Sequence, residues 1–281
     1  MKKFIQPLIS INPASLTFVT VLLVVIFFVI GIPILDLVEL KTYDLRFLSR
    51  GHLDPSPKVV MAVIDEKSLD TEGRWPWPRA KIAHLLDTLN QEGAKVIGFD
   101  VGFLEPDENS YLTFINQLDL KIDSLQIRDR KLSNFIDQSR DEADNDLALA
   151  RAIKNSKASI VLGYFFHLSK SALDYQIAQE EIDIQLQRIA PSKYPLTVYD
   201  TQGIEEVPFI DAYAPEANLE VFAEATRHAG FFNMLPDRDG VARWMPLIIQ
   251  CKEDIFPPLS LECVRQYLDP VSYTHLRAHE T

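Results

Sequence analysis

The chain has 281 residues, 47% of them hydrophobic, and a formal net charge of −12 at pH 7. This length and composition exclude a disordered chain, because they suffice to bury a sizeable core. The residues after Leu35 contain 26 basic and 40 acidic side chains, a net charge of −14. A surface of that sign repels nucleic-acid phosphates and anionic lipid headgroups, so we expect no nucleic-acid partner.

The first apolar run covers residues 16–35 and contains no charged residue. About 20 residues of helix cross the roughly 30 Å of a bilayer's hydrocarbon core, so the run predicts a transmembrane helix that contacts membrane lipid. A cleaved signal peptide is the alternative, but its apolar part would be only about 7 to 15 residues long. Lys2 and Lys3 precede the run. By the positive-inside rule, the leader (residues 1–15) is cytoplasmic and the chain after Leu35 is periplasmic or extracellular.

The next segments predict a stalk and a first strand. Leucines at helical spacing continue through residues 36–55 until Gly51 and Pro55, which favours a helical stalk. The apolar and β-branched run at residues 59–64 predicts a buried strand. We expect one outer domain over residues 56–270.

Alternating helix and strand patterns define the fold class of this domain. A helix is predicted from Pro78 to a cap at Gly93, and "AKVIGFDVGF" follows it as a strand. A second pair consists of "DEADNDLALARAIKNS" and "ASIVLGYFF". Short connections between strand, helix and strand are typical of parallel crossovers. The sequence therefore predicts an α/β fold with a mostly parallel sheet, flanking helices and loop insertions.

The remaining segments are less regular. Residues 105–140 are polar and predict an insertion with one or two surface helices, and residues 167–215 predict a long loop with little core of its own. Asp239 and Gly240 lie between two apolar runs, which indicates a hairpin turn. "FPPLSLECVRQYL" predicts a closing amphipathic helix.

Several motifs, taken in order, resemble one known family: "VVMAVIDEKSL", "GRWPWPR", "GAKVIGFDVGF", "DLALARAI", "GFFNMLPDRDGVARWMPL" and "FPPLSLECVRQYL". Over about residues 40–268 the chain is similar to the CHASE domain of type 2, the extracellular sensory domain associated with cyclases and kinases. The resemblance implies a bacterial membrane receptor whose outer domain leads through further transmembrane helices to a cytoplasmic output module. That module would be an adenylate or guanylate cyclase, a histidine kinase or a Ser/Thr kinase.

Two expectations concern the end of the chain and its assembly. No second apolar run and no output module precede Thr281, so we expect a truncation before the output module. Residues 271–281, "VSYTHLRAHET", lack apolar periodicity and are interpreted as an artefact. We further expect a homodimer that responds to a small-molecule or ionic signal.

Acidic residues provide the first candidate site. Asp65 and Glu66 follow the first predicted strand, and Asp100 follows the second. Because the carboxyl ends of parallel strands share one rim of a sheet, where ligands usually bind, these acids could hold a cation or a polar ligand. The alternative is that they cap the helices that follow.

The second candidate is the "RWPWPR" turn, in which two prolines fix φ at alternate positions and hold the backbone rigid. Trp75 and Trp77 would either fill the core or contact a ligand. Arg74 and Arg79 would either pair with Asp65 or Asp100 or grip an anionic ligand.

Three functional hypotheses follow, of which a sensory input domain without enzymatic activity or cofactor is the first. The second is a membrane-anchored metal-dependent hydrolase in which Asp65, Glu66 and Asp100 hold a divalent ion. The third is an anchored scaffold. The sequence contains neither G-x-S-x-G nor H-E-x-x-H, which disfavours the common hydrolase motifs. Cys251 and Cys263 are too few for a disulfide framework, although one disulfide stays open.

Overall fold

A computed structural model describes residues 13–30, 33–173, 175–195 and 209–268. The chain divides into two compact units, Met1–Val63 with Pro236–Val241, and Ile64–Leu235 with Ala242–Thr281. Residues 1–12 of the predicted leader, residues 31–32 of the predicted transmembrane helix and the predicted artefact at residues 271–281 lie outside the described residues.

The first unit begins with helices α1 (Pro13–Ile30) and α2 (Pro33–Arg50). The transmembrane helix predicted over residues 16–35 is not found among the described residues. α1 has 18 residues, about 27 Å at 1.5 Å per residue, and α2 contains both acidic and basic residues. Within the described part of the chain, no helix combines the length and the apolarity that crossing a membrane requires.

Residues 236–241 belong to the same unit as α2 and are joined to it by two ion pairs. Lys41 Nζ lies 2.9 Å from Asp239 Oδ2, and an Arg238 nitrogen lies 2.8 Å from Asp36 Oδ2. The predicted turn forms, because Gly240 N donates to the Asp237 carbonyl at 2.8 Å. The predicted hairpin is wrong, since residues 232–236 and 241–248 beside the turn form no strand.

The predicted strand at residues 59–64 is also wrong. Val59, Val60 and Met61 are 75%, 85% and 83% exposed. No described segment pairs with this stretch in a sheet. A strand depends on hydrogen bonds from a neighbouring strand, which apolar composition alone does not supply.

The second unit holds the remaining described helices and the strands. The α-helices are α3 (Glu66–Glu72), α4 (Arg79–Gln91), α5 (Ser110–Ser124), α6 (Arg130–Ala143), α7 (Asn145–Asn155), α8 (Gln179–Ile189), α9 (Glu220–Ala225) and α10 (Leu259–Leu268). Two single-turn 3-10 helices cover Lys170–Ala172 and Ala190–Ser192. The strands are β1 (Val96–Phe99), β2 (Ser159–His167), β3 (Ile210–Ala212), β4 (Ala214–Glu216), β5 (Ala229–Phe231), β6 (Ile249–Cys251) and β7 (Asp254–Phe256).

These strands form two small mixed sheets. In the first, β2 is parallel to β1 and β5 and antiparallel to β4. In the second, β6 is parallel to β3 and antiparallel to β7. The predicted α/β class is confirmed, but the prediction of a mostly parallel sheet is wrong. β7 is antiparallel to β6 because only Lys252 and Glu253 connect the two strands. A parallel crossover needs a much longer connection.

The main core lies between the first sheet and helices α4 and α7. Its buried residues come from both helices, from β1 and β2, and from α9; they include Ile82, Leu86, Ile97, Leu149, Ile153, Ile160, Leu162 and Phe222. α4, β1, α7 and β2 are the two predicted helix and strand pairs, and their apolar faces meet as their spacing indicates. The predicted closing helix also forms, as α10, which packs on β1, β2 and β5.

The two predicted irregular regions differ in outcome. Residues 105–140 contain α5 and most of α6, as predicted for an insertion with surface helices. The stretch from residue 167 to 215 is more ordered than predicted, since it contains α8, whose Ile182 and Ile189 are buried. Residues 196–208 of that stretch lie outside the described residues.

Candidate functional site

The predicted acidic rim is only partly formed. Asp65 is the N-cap of α3 rather than the end of a strand, and its Oδ1 accepts from Ser68 Oγ at 2.7 Å and from Ser68 N at 2.9 Å. These bonds, the side-chain one first, lower the pKa of Asp65 below its usual value. Glu66 is the first residue of α3 and is exposed. Asp100 does follow β1, as predicted, and is also exposed.

The three acids do not make a metal site. Among the residues that the structure describes, which include all three, no group of three or more acidic, histidine or cysteine side chains could hold a metal ion. The expected site of a metal-dependent hydrolase at Asp65, Glu66 and Asp100 is therefore not assembled.

The two tryptophans of the rigid turn have different environments. Trp77 is 6% exposed, and its Nε1 donates to the Gly73 carbonyl at 2.8 Å. Trp75 is 39% exposed and contacts the Trp77 ring edge-to-face at a centroid distance of 6.0 Å. Lys81 Nζ lies 5.6 Å from the centre of the Trp77 ring. Trp77 thus fills the core, while Trp75 offers an aromatic surface to solvent.

The two arginines of the turn also have different environments. Arg74 is exposed, whereas Arg79, the first residue of α4, is 9% exposed. In the described ranges, neither forms an ion pair with Asp65 or Asp100, which was one of the two roles expected of them. Arg79 instead turns towards carboxylates that the sequence did not associate with it.

We call Arg79, Asp107, Asn145 and Asp146 the Arg79 cluster. Asp107 Oδ2 accepts from the Arg79 backbone N–H at 3.2 Å and from Asn145 Nδ2 at 2.7 Å. Asp146 Oδ2 accepts from the Asp107 backbone N–H at 3.0 Å. The loop after β1 is therefore tied by these bonds to the first residues of both α4 and α7.

Local sequence explains why these groups meet. α4 begins after Pro78, which offers no side-chain cap, so Asp107 supplies the missing acceptor for a free N–H of the first turn. α7 has its own cap in Asp144, whose Oδ1 accepts from Leu147 N at 2.9 Å. Carboxylates at helix N-termini are favoured by the helix dipole. The cluster thus joins two helix N-termini beside a loop that follows a parallel strand, a usual place for ligand sites in α/β folds.

One contact within the cluster is left incomplete. Arg79 Nε and Asp146 Oδ1 are both buried and have no hydrogen-bond partner among the described residues, and the two atoms face each other at 3.6 Å. The Arg79 guanidinium also lies 4.9 Å from the centre of the Phe103 ring. Burial raises the pKa of Asp146, against the opposing effects of the Asp107 N–H and of Arg79. A shift of a few tenths of an ångström would close this pair into a hydrogen bond.

Sequence reasoning found Arg79 but missed Asp107, Asn145 and Asp146 as its partners. The acids from residue 141 onward predict only the start of a helix. One sequence signal points to Asp107 as a partner of Arg79. The helix that starts after Pro78 has no capping side chain of its own, and acids lie in the loop after the next strand.

Comparison with known proteins gives one finding. The family model of the CHASE2 domain matches residues 19–279, which is more than half of the chain. Neither the curated proteins nor the solved structures contain a significant match. CHASE2 domains are extracellular sensory domains. The match agrees with the motif order from residue 59 to 268, and the chain belongs to the CHASE2 domain family.

Proposed function

We propose that the chain is the sensory input domain of a signal-transduction receptor whose output module is a cyclase or a protein kinase. The observation that supports this function is the family match over residues 19–279. An input domain needs only two conformations with different affinities for its signal. It requires no catalysis, and we propose that this chain has no enzymatic activity and uses no cofactor.

The proposal places the domain outside the cytoplasm and at the cell membrane. Two observations support this placement: Lys2 and Lys3 are the only charged residues before Asp36, and α1 has no charged residue while most of its large apolar side chains are exposed. Such a helix gains free energy when lipid rather than water surrounds it. We propose that α1 contacts membrane lipid.

Within the domain, we propose that the Arg79 cluster is the element that the signal acts on. Arg79 Nε and Asp146 Oδ1 lie 3.6 Å apart, and neither atom has a hydrogen-bond partner in the described part of the chain. The pair can therefore adopt two arrangements, one in which the two atoms are separated and one in which they are hydrogen-bonded. Buried polar groups without partners are costly, so a small movement changes the free energy appreciably. A signal that favours one arrangement would shift α4 relative to α7.

The signal itself, a small molecule or an ion, is proposed to contact the exposed surface beside the cluster. Of the sequence-predicted ligand residues, Arg74 and Trp75 lie within five residues of Arg79 and are exposed. An exposed guanidinium next to an aromatic ring suits an anionic or aromatic ligand. Asp65, Glu66 and Asp100, which are also exposed, stay as proposed contacts for a polar ligand.

A chimeric receptor tests this function. Residues 1–268 are fused to the transmembrane and output segments of a reporter histidine kinase, and kinase-dependent transcription is measured. Asp146→Asn and Arg79→Lys are each expected to change the output at least severalfold, because they alter the two arrangements of the cluster. Unchanged output in both variants would favour the anchored scaffold.

A matched control is available in the same fold. Arg151 and Asp141 form an ion pair with the same 3.6 Å separation, but their side chains are 55% and 65% exposed. Solvent-exposed ion pairs contribute little to the stability of a fold. Arg151→Lys and Asp141→Asn should leave the output of the chimera unchanged.

A further inference from the structure

Helix α5 has an apolar stripe that the described fold leaves uncovered. Tyr111, Phe114 and Leu118 lie on the helix and are 76%, 63% and 42% exposed, and Leu125, just after its end, is 58% exposed. They are separated by three, four and seven residues, the spacing of a coiled-coil seam. We call these four residues the α5 stripe.

Packing within the described chain does not account for the stripe. α5 contacts α6 through a different face, on which Leu112, Ile115 and Ile122 are half-buried. The stripe lies about a quarter of a turn around the helix from that face at 100° per residue. Monomeric proteins seldom leave large contiguous apolar patches in water, and such patches commonly mark interaction sites.

The charges at the two ends of the stripe differ in sign. Glu108 precedes α5, whereas Arg128, Asp129, Arg130 and Lys131 follow it with a net charge of +2. Asp129 caps α6, and among the described residues none of these five side chains forms an ion pair. An α5 surface that is acidic at one end and basic at the other is complementary to itself only when a second copy runs in the opposite direction.

We propose that the α5 stripe is a dimerisation surface, on which α5 of a second copy packs antiparallel about a two-fold axis at Leu118. Tyr111 and Leu125 are each seven residues from Leu118, so the axis places Tyr111 of one copy opposite Leu125 of the other. Glu108 and Arg128 lie just beyond opposite ends of α5, so the same axis places Glu108 of one copy on the same side of the interface as Arg128 of the other. A parallel arrangement would instead bring like charges together.

The exposed area is adequate for the centre of such an interface. Two aromatic and two leucine side chains at these exposures offer roughly 500 Å² of apolar surface per copy. A standard interface buries about 800 Å² per partner, with a polar rim around the apolar centre. The charged residues beyond each end of the stripe would supply that rim.

Cysteine crosslinking of the full chain in membranes tests the proposed axis. A two-fold axis at Leu118 brings this residue next to its own copy, within the Cβ separation of about 3.8 Å that a disulfide needs. Leu118→Cys is therefore expected to give an oxidised dimer as the main band on a non-reducing gel. Leu120→Cys is the control, because Leu120 is 70% exposed on the same helix but points about 160° away.

The native Cys251 and Cys263 are free thiols. The yield of oxidised dimer from the wild-type chain therefore gives the background of the crosslinking experiment. A dimer yield for Leu118→Cys no higher than that of Leu120→Cys or of the wild type would overturn the proposal.

A charge exchange tests the antiparallel direction. In the Leu118→Cys background, Glu108→Arg or Arg128→Glu alone should lower the dimer yield several-fold, and the two together should restore it. If the double variant stays as low as the single ones, the two residues do not face each other. That result would overturn the antiparallel arrangement.

Discussion

At the scale of single residues, Trp77 is the most deeply buried ring of the "RWPWPR" turn, and its neighbour Trp75 is not buried. We expect Trp77→Ala to lower the free energy of unfolding by about 3 to 5 kcal/mol, because it removes a packed indole and leaves a cavity. Trp75→Ala should cost clearly less. Urea melts of the two variants provide the comparison. An equal effect of both would mean that the turn, rather than the Trp77 ring, carries the stability.

Asp146 provides a pH test of the Arg79 cluster. Because burial raises its pKa above 3.8 in the folded chain, the folded state holds this proton more tightly than the unfolded state does. Asp146 therefore favours folding most at low pH, and this contribution is lost as the pH rises through the raised folded pKa.

Asp146→Asn should remove that dependence, because the amide stays neutral. The stability of the wild type relative to the variant is expected to fall as pH rises from about 3.5 to 7, and urea melts across this range measure it. A relative stability that increases with pH would show that the Arg79 charge outweighs burial at this carboxyl group.

The residues of the Arg79 cluster show how far sequence reasoning reaches. The positions of Arg79 and Asp146 at the starts of two helices were predictable from Pro78 and from the acids around residue 144. The proximity of Arg79 and Asp146 was not predictable, because it depends on how α4 packs against α7. Helical periodicity shows which face of each helix is apolar, but it does not show which helices pack together. Asp65 and Asp100 do not end neighbouring strands, because the strand predicted at residues 59–64 does not form.

At the scale of elements, the closeness of α10 to the first sheet depends on two glycines. A Cβ on Gly230 would lie 2.6 Å from the backbone of Leu259, and one on Gly98 would lie 2.6 Å from the Cys263 Sγ. Such distances are too short for unstrained contact. α10 can therefore approach β1 and β5 only where these strands lack side chains.

We expect Gly230→Ala to destabilise the domain by about 1 to 3 kcal/mol, because backbone must move to admit the methyl group. The destabilisation caused by Gly98→Ala should be smaller when Cys263→Ala is present in the same chain. The reason is that the new methyl group at residue 98 would collide with the Cys263 side chain rather than with backbone. Thermal unfolding of these variants, including Cys263→Ala alone, measures this. Failure of Cys263→Ala to relieve Gly98→Ala would show that α10 does not pack against β1 as described.

Elements with clear ends and one apolar face were predictable. α4 has Pro78 before it, Gly93 after it and Ile82 and Leu86 on its buried face, and it forms over Arg79–Gln91. The stretch at residues 59–64 is entirely apolar but forms no strand, because composition does not reveal whether a partner strand is present. β7 was missed since three residues are too few to show a pattern.

At the scale of the whole molecule, the proposed location outside the cytoplasm is testable by fusion. Alkaline phosphatase joined after Leu268, the last residue of α10, should be active, because this enzyme requires the oxidising periplasm. A fluorescent protein that folds only in the cytoplasm, joined at the same place, should stay dark. The opposite pattern would contradict the proposed location.

The proposed sensor depends on two arrangements of the Arg79 cluster, and the Arg79 Nε–Hε group reports on them directly. Its nitrogen-15 resonance in the arginine-labelled chain can be assigned by its loss in Arg79→Lys. Relaxation dispersion of this resonance detects exchange on the microsecond to millisecond timescale. We expect exchange between a free and a hydrogen-bonded environment, with altered populations in Asp146→Asn. A single resonance without exchange, unchanged in Asp146→Asn, would contradict a two-state cluster.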